Sequence, residues 1–141
     1  MNEKLKSQAT LSGADDSICF LGFIPDDKLP LYYAVADIFI MPTEFIEGFG
    51  LATVEAMSTG LPVLGTPVGG TIEILNSIDS ELLFENATAK SMANKIEQVL
   101  KNLNPILALK SKCRENVVKN YNWDLVVDRI EEEFDLIWKN N

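Results

Sequence analysis

The chain has 141 residues, room for one domain with a core and not for two. With 47% hydrophobic residues it reads as globular, and no apolar run approaches the length of a membrane span. A net charge of −9 argues against nucleic acid and anionic membranes as partners, and the lack of histidine excludes a Ser-His or Cys-His pair and any histidine metal site.

Charge is unevenly placed. Between Ser7 and Ala89 twelve acidic residues face one basic residue, Lys28, whereas Lys90 to Lys119 holds seven basic residues and two acidic. The basic stretch reads as a solvated helical face. Residues 1–10 are polar and lack the apolar core of a signal peptide, and Cys19 and Cys113 stand in no metal or redox spacing. A cytoplasmic location with two reduced thiols is the expectation.

In chain order, a polar lead over 1–16 with a turn or two of helix precedes an apolar run at 18–23, which reads as a strand. Asp26 and Asp27 can cap a helix reaching Val35 or Ala36, with Pro30 tolerated near its start. A second strand is expected at 38–41, stopped by Pro42, then a helix over 50–59. A third strand at 62–66, a short helix at 71–76 and a fourth strand at 81–84 follow. Residues 89–101 are amphipathic, with Met92, Ile96, Val99 and Leu100 on one side. Helices at 105–119 and 123–139 complete the chain, the last with Leu125, Val126, Ile130, Phe134 and Ile137 turned inward. Strands alternating with helices imply an α/β fold, a Rossmann-like parallel sheet of about four strands with flanking helices. The core would span 17–120 and the C-terminal helix 121–141, in a single unit.

The stretch 41–70 carries the chemistry. Glu47 and Glu55 have seven residues between them, beginning with Gly48-Phe49-Gly50, in the order strand, glycine turn, helix. Such a turn aims backbone N–H groups and the positive helix end at the space above the strand, which suits phosphate. Two carboxylates beside that space accept hydroxyl protons, so a phosphorylated polyol such as a sugar nucleotide fits. A nicotinamide fingerprint fits poorly, because Thr53 stands where its third glycine belongs, and no P-loop motif occurs.

Phe20-Leu21-Gly22-Phe23-Ile24, Tyr32-Tyr33-Ala34-Val35-Ala36-Asp37, Pro42-Thr43, Glu47-Gly-Phe-Gly through Glu55-Ala-Met, Gly60-Leu-Pro-Val, and Gly69-Gly70 with Glu73 follow one another in a recognisable series. Over roughly 17–138 the sequence resembles the donor-binding domain of family 4 (group 1) retaining glycosyltransferases of GT-B architecture. The resemblance implies an incomplete donor domain, matching the third to sixth strands of six. The first two strands, with a Gly-Arg and a Lys that grip the donor diphosphate, have no counterpart here, nor does the acceptor domain.

By the same resemblance, Glu47 is the catalytic-site carboxylate near the transferred sugar. Gly48, Phe49, Gly50 and Leu51 contact diphosphate and sugar, Glu55 binds the ribose, and Gly69 and Gly70 flank the sugar. No cofactor and no metal are expected. The implied partners are a nucleoside diphosphate sugar and an acceptor domain in cis or in trans, not nucleic acid, with self-association through exposed strand edges. The chain alone is expected to be inactive. The alternative is a non-catalytic binding module that retains the fold.

Overall fold

The computed structural model describes residues 2–45 and 47–139. The ends of the expected lead at 1–16 and of the C-terminal helix at 121–141 therefore lie partly outside the described residues.

Helix α1 (Asn2–Leu11) leads through a 3-10 turn (Asp15–Ser17) to extended chain, then to α2 (Leu29–Val35), β1 (Phe39–Met41), α3 (Leu51–Ser58), β2 (Val63–Gly65) and α4 (Gly70–Asn76). A second 3-10 turn (Ser80–Leu82) precedes α5 (Ala89–Lys101), α6 (Asn104–Leu107), α7 (Lys110–Asn120) and α8 (Trp123–Lys139). Strands β1 and β2 are parallel, with Phe39 opposite Val63, Ile40 opposite Leu64 and Met41 opposite Gly65. Leu83 adds a parallel bridge to Gly65. The expected fold class, a parallel sheet with flanking helices, is the one observed.

The core forms where the β1–α3–β2 unit closes on α4 and α7. Val63 and Leu64 are fully buried, as are Ala56 and Met57 of α3, Leu75 of α4, and Cys113 of α7. Each large apolar side chain removed from water in this way contributes about 1.5–3 kcal/mol. Gly60 ends α3: at φ 83° it donates to the Met57 carbonyl at 2.9 Å while Leu61 donates to Ala56 at 3.3 Å. That pair of bonds satisfies the last carbonyls of the helix and returns the chain directly into β2.

The strand expected at 18–23 does not form. Gly22 sits at φ 69°, which interrupts extended backbone, and no ladder partner is present among the described residues. Ile18, Leu21 and Phe23 are 45%, 51% and 87% exposed. Direct pairing of this segment with β1 is thereby excluded in the monomer. An apolar run supplies residues that fit a pleated surface, but a strand exists only where a neighbour accepts its hydrogen bonds.

The strand expected at 81–84 shrinks to the single Leu83 bridge. The Asp79 side chain accepts the Glu81 N–H at 2.9 Å and winds 80–82 into a 3-10 turn. The helix expected at 105–119 divides into α6 and α7, because the Leu109 N–H turns to Ile106, three residues back, at 3.0 Å. Helix α5 has the expected bounds; Val99 is buried and Met92 and Ile96 half-buried, while Leu100 is exposed. Helix α8 also has its expected bounds, but its apolar row is not turned into a core. Leu125 is half-buried, and Val126, Ile130, Phe134 and Ile137 are exposed. Among the described residues no helix is long and apolar enough to cross a membrane.

Candidate functional site

The two parallel strands end side by side, at Met41 and Gly65, and the loops that leave them converge. In open α/β sheets the space outside the carboxyl ends of the strands is where ligands bind. The loop after β1 runs to Gly50, which at φ 89° turns the chain into α3 without a side-chain cap. Thr53 and Val54 donate back to the Gly50 carbonyl at 3.0 and 3.2 Å. The amides ahead of them, at the start of α3, are those a helix end leaves without an intrahelical partner.

The loop after β2 ends at Gly69 and Gly70. Gly70 donates its N–H to the Gly48 carbonyl at 3.1 Å. A side chain at Gly69 would overlap the Glu47 carbonyl, and one at Gly70 would lie 2.8 Å from the Phe49 carbonyl carbon. Gly69 also adopts φ 55°, ψ −147°, a region essentially confined to glycine. The requirement for glycine here is therefore close backbone approach between the two loops.

Glu47 is half-buried in this junction. Its Oε2 accepts the Thr43 hydroxyl at 3.0 Å and the Thr71 hydroxyl at 3.1 Å. Thr71 opens α4 and is fully buried, with the buried Thr53 hydroxyl 3.4 Å away. Thr43 is in turn fixed by buried Thr66, whose hydroxyl donates to the Thr43 carbonyl at 2.6 Å.

Glu55 lies a turn and a half into α3, on a different side of the junction. It shares an apolar groove of about 650 Å³ with Phe49, Leu51, Val54, Tyr121 and Trp123. It also shares a smaller cavity of about 200 Å³ with Asp26 and Tyr33. The Tyr33 hydroxyl is directed at the Glu55 carboxylate; burial first, and that carboxylate second, push it above the usual phenol value. The Tyr33 ring is fixed edge-on against Phe39 at 5.4 Å. Phe49 stacks edge-on against Tyr121 at 5.9 Å, and Tyr121 is raised by its burial and then by Glu73.

The residues singled out in the sequence thus form two adjoining groups. Glu47, Gly48, Phe49 and Gly50 meet Gly69 and Gly70 at the loop junction, and Phe49 and Leu51 connect it to the groove holding Glu55. The threonines around Glu47 and the tyrosine facing Glu55 were not expected. Thr43, four residues before Glu47, is a signal the sequence offers; Thr71, twenty-four residues after it, is brought there only by the fold. Among the described residues no group of three or more Cys, Asp or Glu side chains could hold a metal ion.

The family model for group 1 glycosyl transferases matches residues 1–120. A GDP-mannose-dependent alpha-(1-6)-phosphatidylinositol monomannoside mannosyltransferase of Mycobacterium tuberculosis is 26% identical over 136 residues, covering 92% of this chain and 35% of that protein. A sucrose-phosphate synthase from Thermosynechococcus elongatus superposes with a TM-score of 0.84 at 25% identity, over 99% of this chain and 35% of the other. The C-terminal domain of a glycosyl transferase group 1 family protein from Francisella tularensis superposes with a TM-score of 0.74 at 25% identity, over 86% of this chain and 63% of that one. The chain thus spans about a third of the length of the curated relative it matches. With a family match over residues 1–120, the chain belongs to the group 1 glycosyl transferases.

Proposed function

We propose that the chain is the part of a retaining glycosyltransferase that holds the nucleoside diphosphate sugar. The observation that carries this reading is the junction at the strand ends, where threonine-held Glu47 lies in the loop that opens α3, packed backbone to backbone against the glycine loop that opens α4. Amides and a helix N-terminus attract the diphosphate. A carboxylate beside the sugar accepts its hydroxyls and opposes positive charge developing at the anomeric carbon. Glu55, one groove away, accepts the two ribose hydroxyls. An acceptor-binding domain, in cis or in trans, completes the reaction.

Titration of the 15N-labelled chain with GDP-mannose, UDP-glucose and ADP-glucose, followed by NMR, tests this at millimolar ligand. GDP-mannose belongs in the panel because a relative is named as dependent on it. Shifts are expected at the amides of Phe49, Gly50, Leu51, Gly69 and Gly70. Perturbation confined to other surfaces, or none at about 10 mM of every donor, would show that the junction is not a donor site.

A further inference from the structure

We infer that Thr43 and Thr71 are positioning residues that hold Glu47 through Oε2 alone, so that Oε1 is the oxygen presented to the sugar. This rests on the donor-site reading above and deepens it.

Both threonine hydroxyls end on the same carboxylate oxygen, at 3.0 and 3.1 Å. Among the described residues no hydrogen bond engages Oε1. A hydroxyl carries one proton. Thr71 places its own on Glu47, so in the 3.4 Å contact with Thr53 it is Thr53 that donates. The order Thr53 to Thr71 to Glu47 is therefore fixed in direction, with Thr53 and Thr71 wholly buried and unable to exchange these partners for water.

Each support is anchored by a different part of the fold. Thr71 is set by the first turn of α4, directly after Gly69-Gly70. Thr43 is set by the Thr66 hydroxyl just beyond β2. Donors converging from two elements restrict the carboxylate's torsion more than donors from one. A glutamate otherwise loses considerable rotamer freedom when it orders around a ligand. Holding it beforehand converts that loss into binding or catalytic advantage.

The test separates the sugar from the rest of the donor. For the full 141-residue chain, NMR titration gives the ratio of affinities for GDP-mannose over GDP and for UDP-glucose over UDP. Thr71→Val keeps the shape and removes the donor. It is expected to lower the larger of these ratios by about three- to tenfold while leaving the bare diphosphate unchanged. Thr71→Ser is expected to restore it, and adding Thr71→Val to Glu47→Ala is expected to cost nothing further.

If Glu47→Ala removes the sugar preference and Thr71→Val does not, the inference is overturned and the donor-site reading stands. If Glu47→Ala leaves the preference intact, both fall. Thr43→Val provides the same arm at a half-buried position should Thr71→Val fail to fold. A readout without ligand comes from urea unfolding of Thr71→Val, Glu47→Ala and the double variant. The folding constants should be non-additive by about three- to tenfold, and additivity would contradict the contact.

Discussion

Gly70 gives its backbone N–H to the carbonyl of Gly48 at 3.1 Å, so the loops leaving two neighbouring strands are tied to each other main chain to main chain. Beside this bond, Gly69 rests on the Glu47 carbonyl with no room for a β-carbon. Gly69→Ala therefore meets both a steric overlap and a forbidden backbone region. A loss of at least about 2 kcal/mol is expected, about thirtyfold in the folded-to-unfolded ratio. Gly48→Ala, with open space around it, is expected to lose under about 1 kcal/mol. Urea midpoints for the two variants check the contrast; equal midpoints would show that the loops are not in contact.

In a glycosyltransferase assembled as proposed, with this chain holding the donor, the two glutamates should fail in different ways. Glu55, facing Tyr33 in the smaller cavity and bordering the groove, would hold the ribose in ground and transition states alike, so Glu55→Gln should raise KM about tenfold. Glu47 would lie beside the developing charge, so Glu47→Gln should lower kcat about a hundredfold with KM little changed. Steady-state kinetics decide, and kcat/KM within about twofold of the parent for both variants removes the two-carboxylate reading.

How far this site was legible can be told from its parts. The glycine turn, the following helix and both carboxylates are local features, and local spacing revealed them. The partners of those carboxylates are not local. Thr71 reaches Glu47 because β2 and α4 fold back over the strand ends, and Tyr33 reaches Glu55 because α2 packs on α3. In the same way, residues 18–23 have the composition of a strand and lack the neighbour that would make one, and the period of α8 defined a face without saying what covers it.

Donor binding by the chain alone is expected to be weak, with Kd above about 1 mM, or only about −4 kcal/mol. Residues 7–89, which include the junction, carry twelve acidic side chains against Lys28 alone. Amides at the α3 start attract a diphosphate, but charge-assisted bonds from arginine or lysine are among the stronger ones available to phosphate. Isothermal titration with several nucleoside diphosphate sugars checks the value. Micromolar binding would refute the argument from charge.

The two thiols should differ sharply. Cys113 is fully buried between α7 and α3, and burial pushes its thiol up to about 11, against a smaller opposing effect of Lys112. Cys19 is exposed. At pH 8 one thiol per chain should react promptly with a disulfide reagent and the second only on unfolding. Because the folded thiol holds its proton where the unfolded one has lost it, this stabilisation is complete below the ordinary thiol value. It declines between about pH 9 and 11, by about 2–3 kcal/mol at most. Unfolding curves of the parent and of Cys113→Ala across that range report the difference, and parallel pH dependence would refute it.

Self-association is expected at the side of β1 that no described strand pairs. Phe39 and Met41 turn their backbone groups to β2, since the Phe39 N–H donates to Pro62 at 2.9 Å and the Met41 carbonyl accepts from Thr66 at 3.1 Å. Strand geometry then directs the Ile40 groups to the opposite edge. Sedimentation velocity over a hundredfold concentration range checks this, and a stable monomer throughout counts against it.

Helix α8 has a consequence for how the molecule opens. It contains seventeen residues, and none of them is buried. An isolated helix of that length is marginal in water, because its nucleus is costly and only tertiary packing normally repays it. The amide protons of α8 should therefore exchange with solvent through local fraying, at rates indifferent to denaturant. Those of α3, capped at Gly60 and packed on α7, should exchange only when the whole core unfolds. One chain would then show two separate clocks, one kept by a single helix and the other by the entire domain.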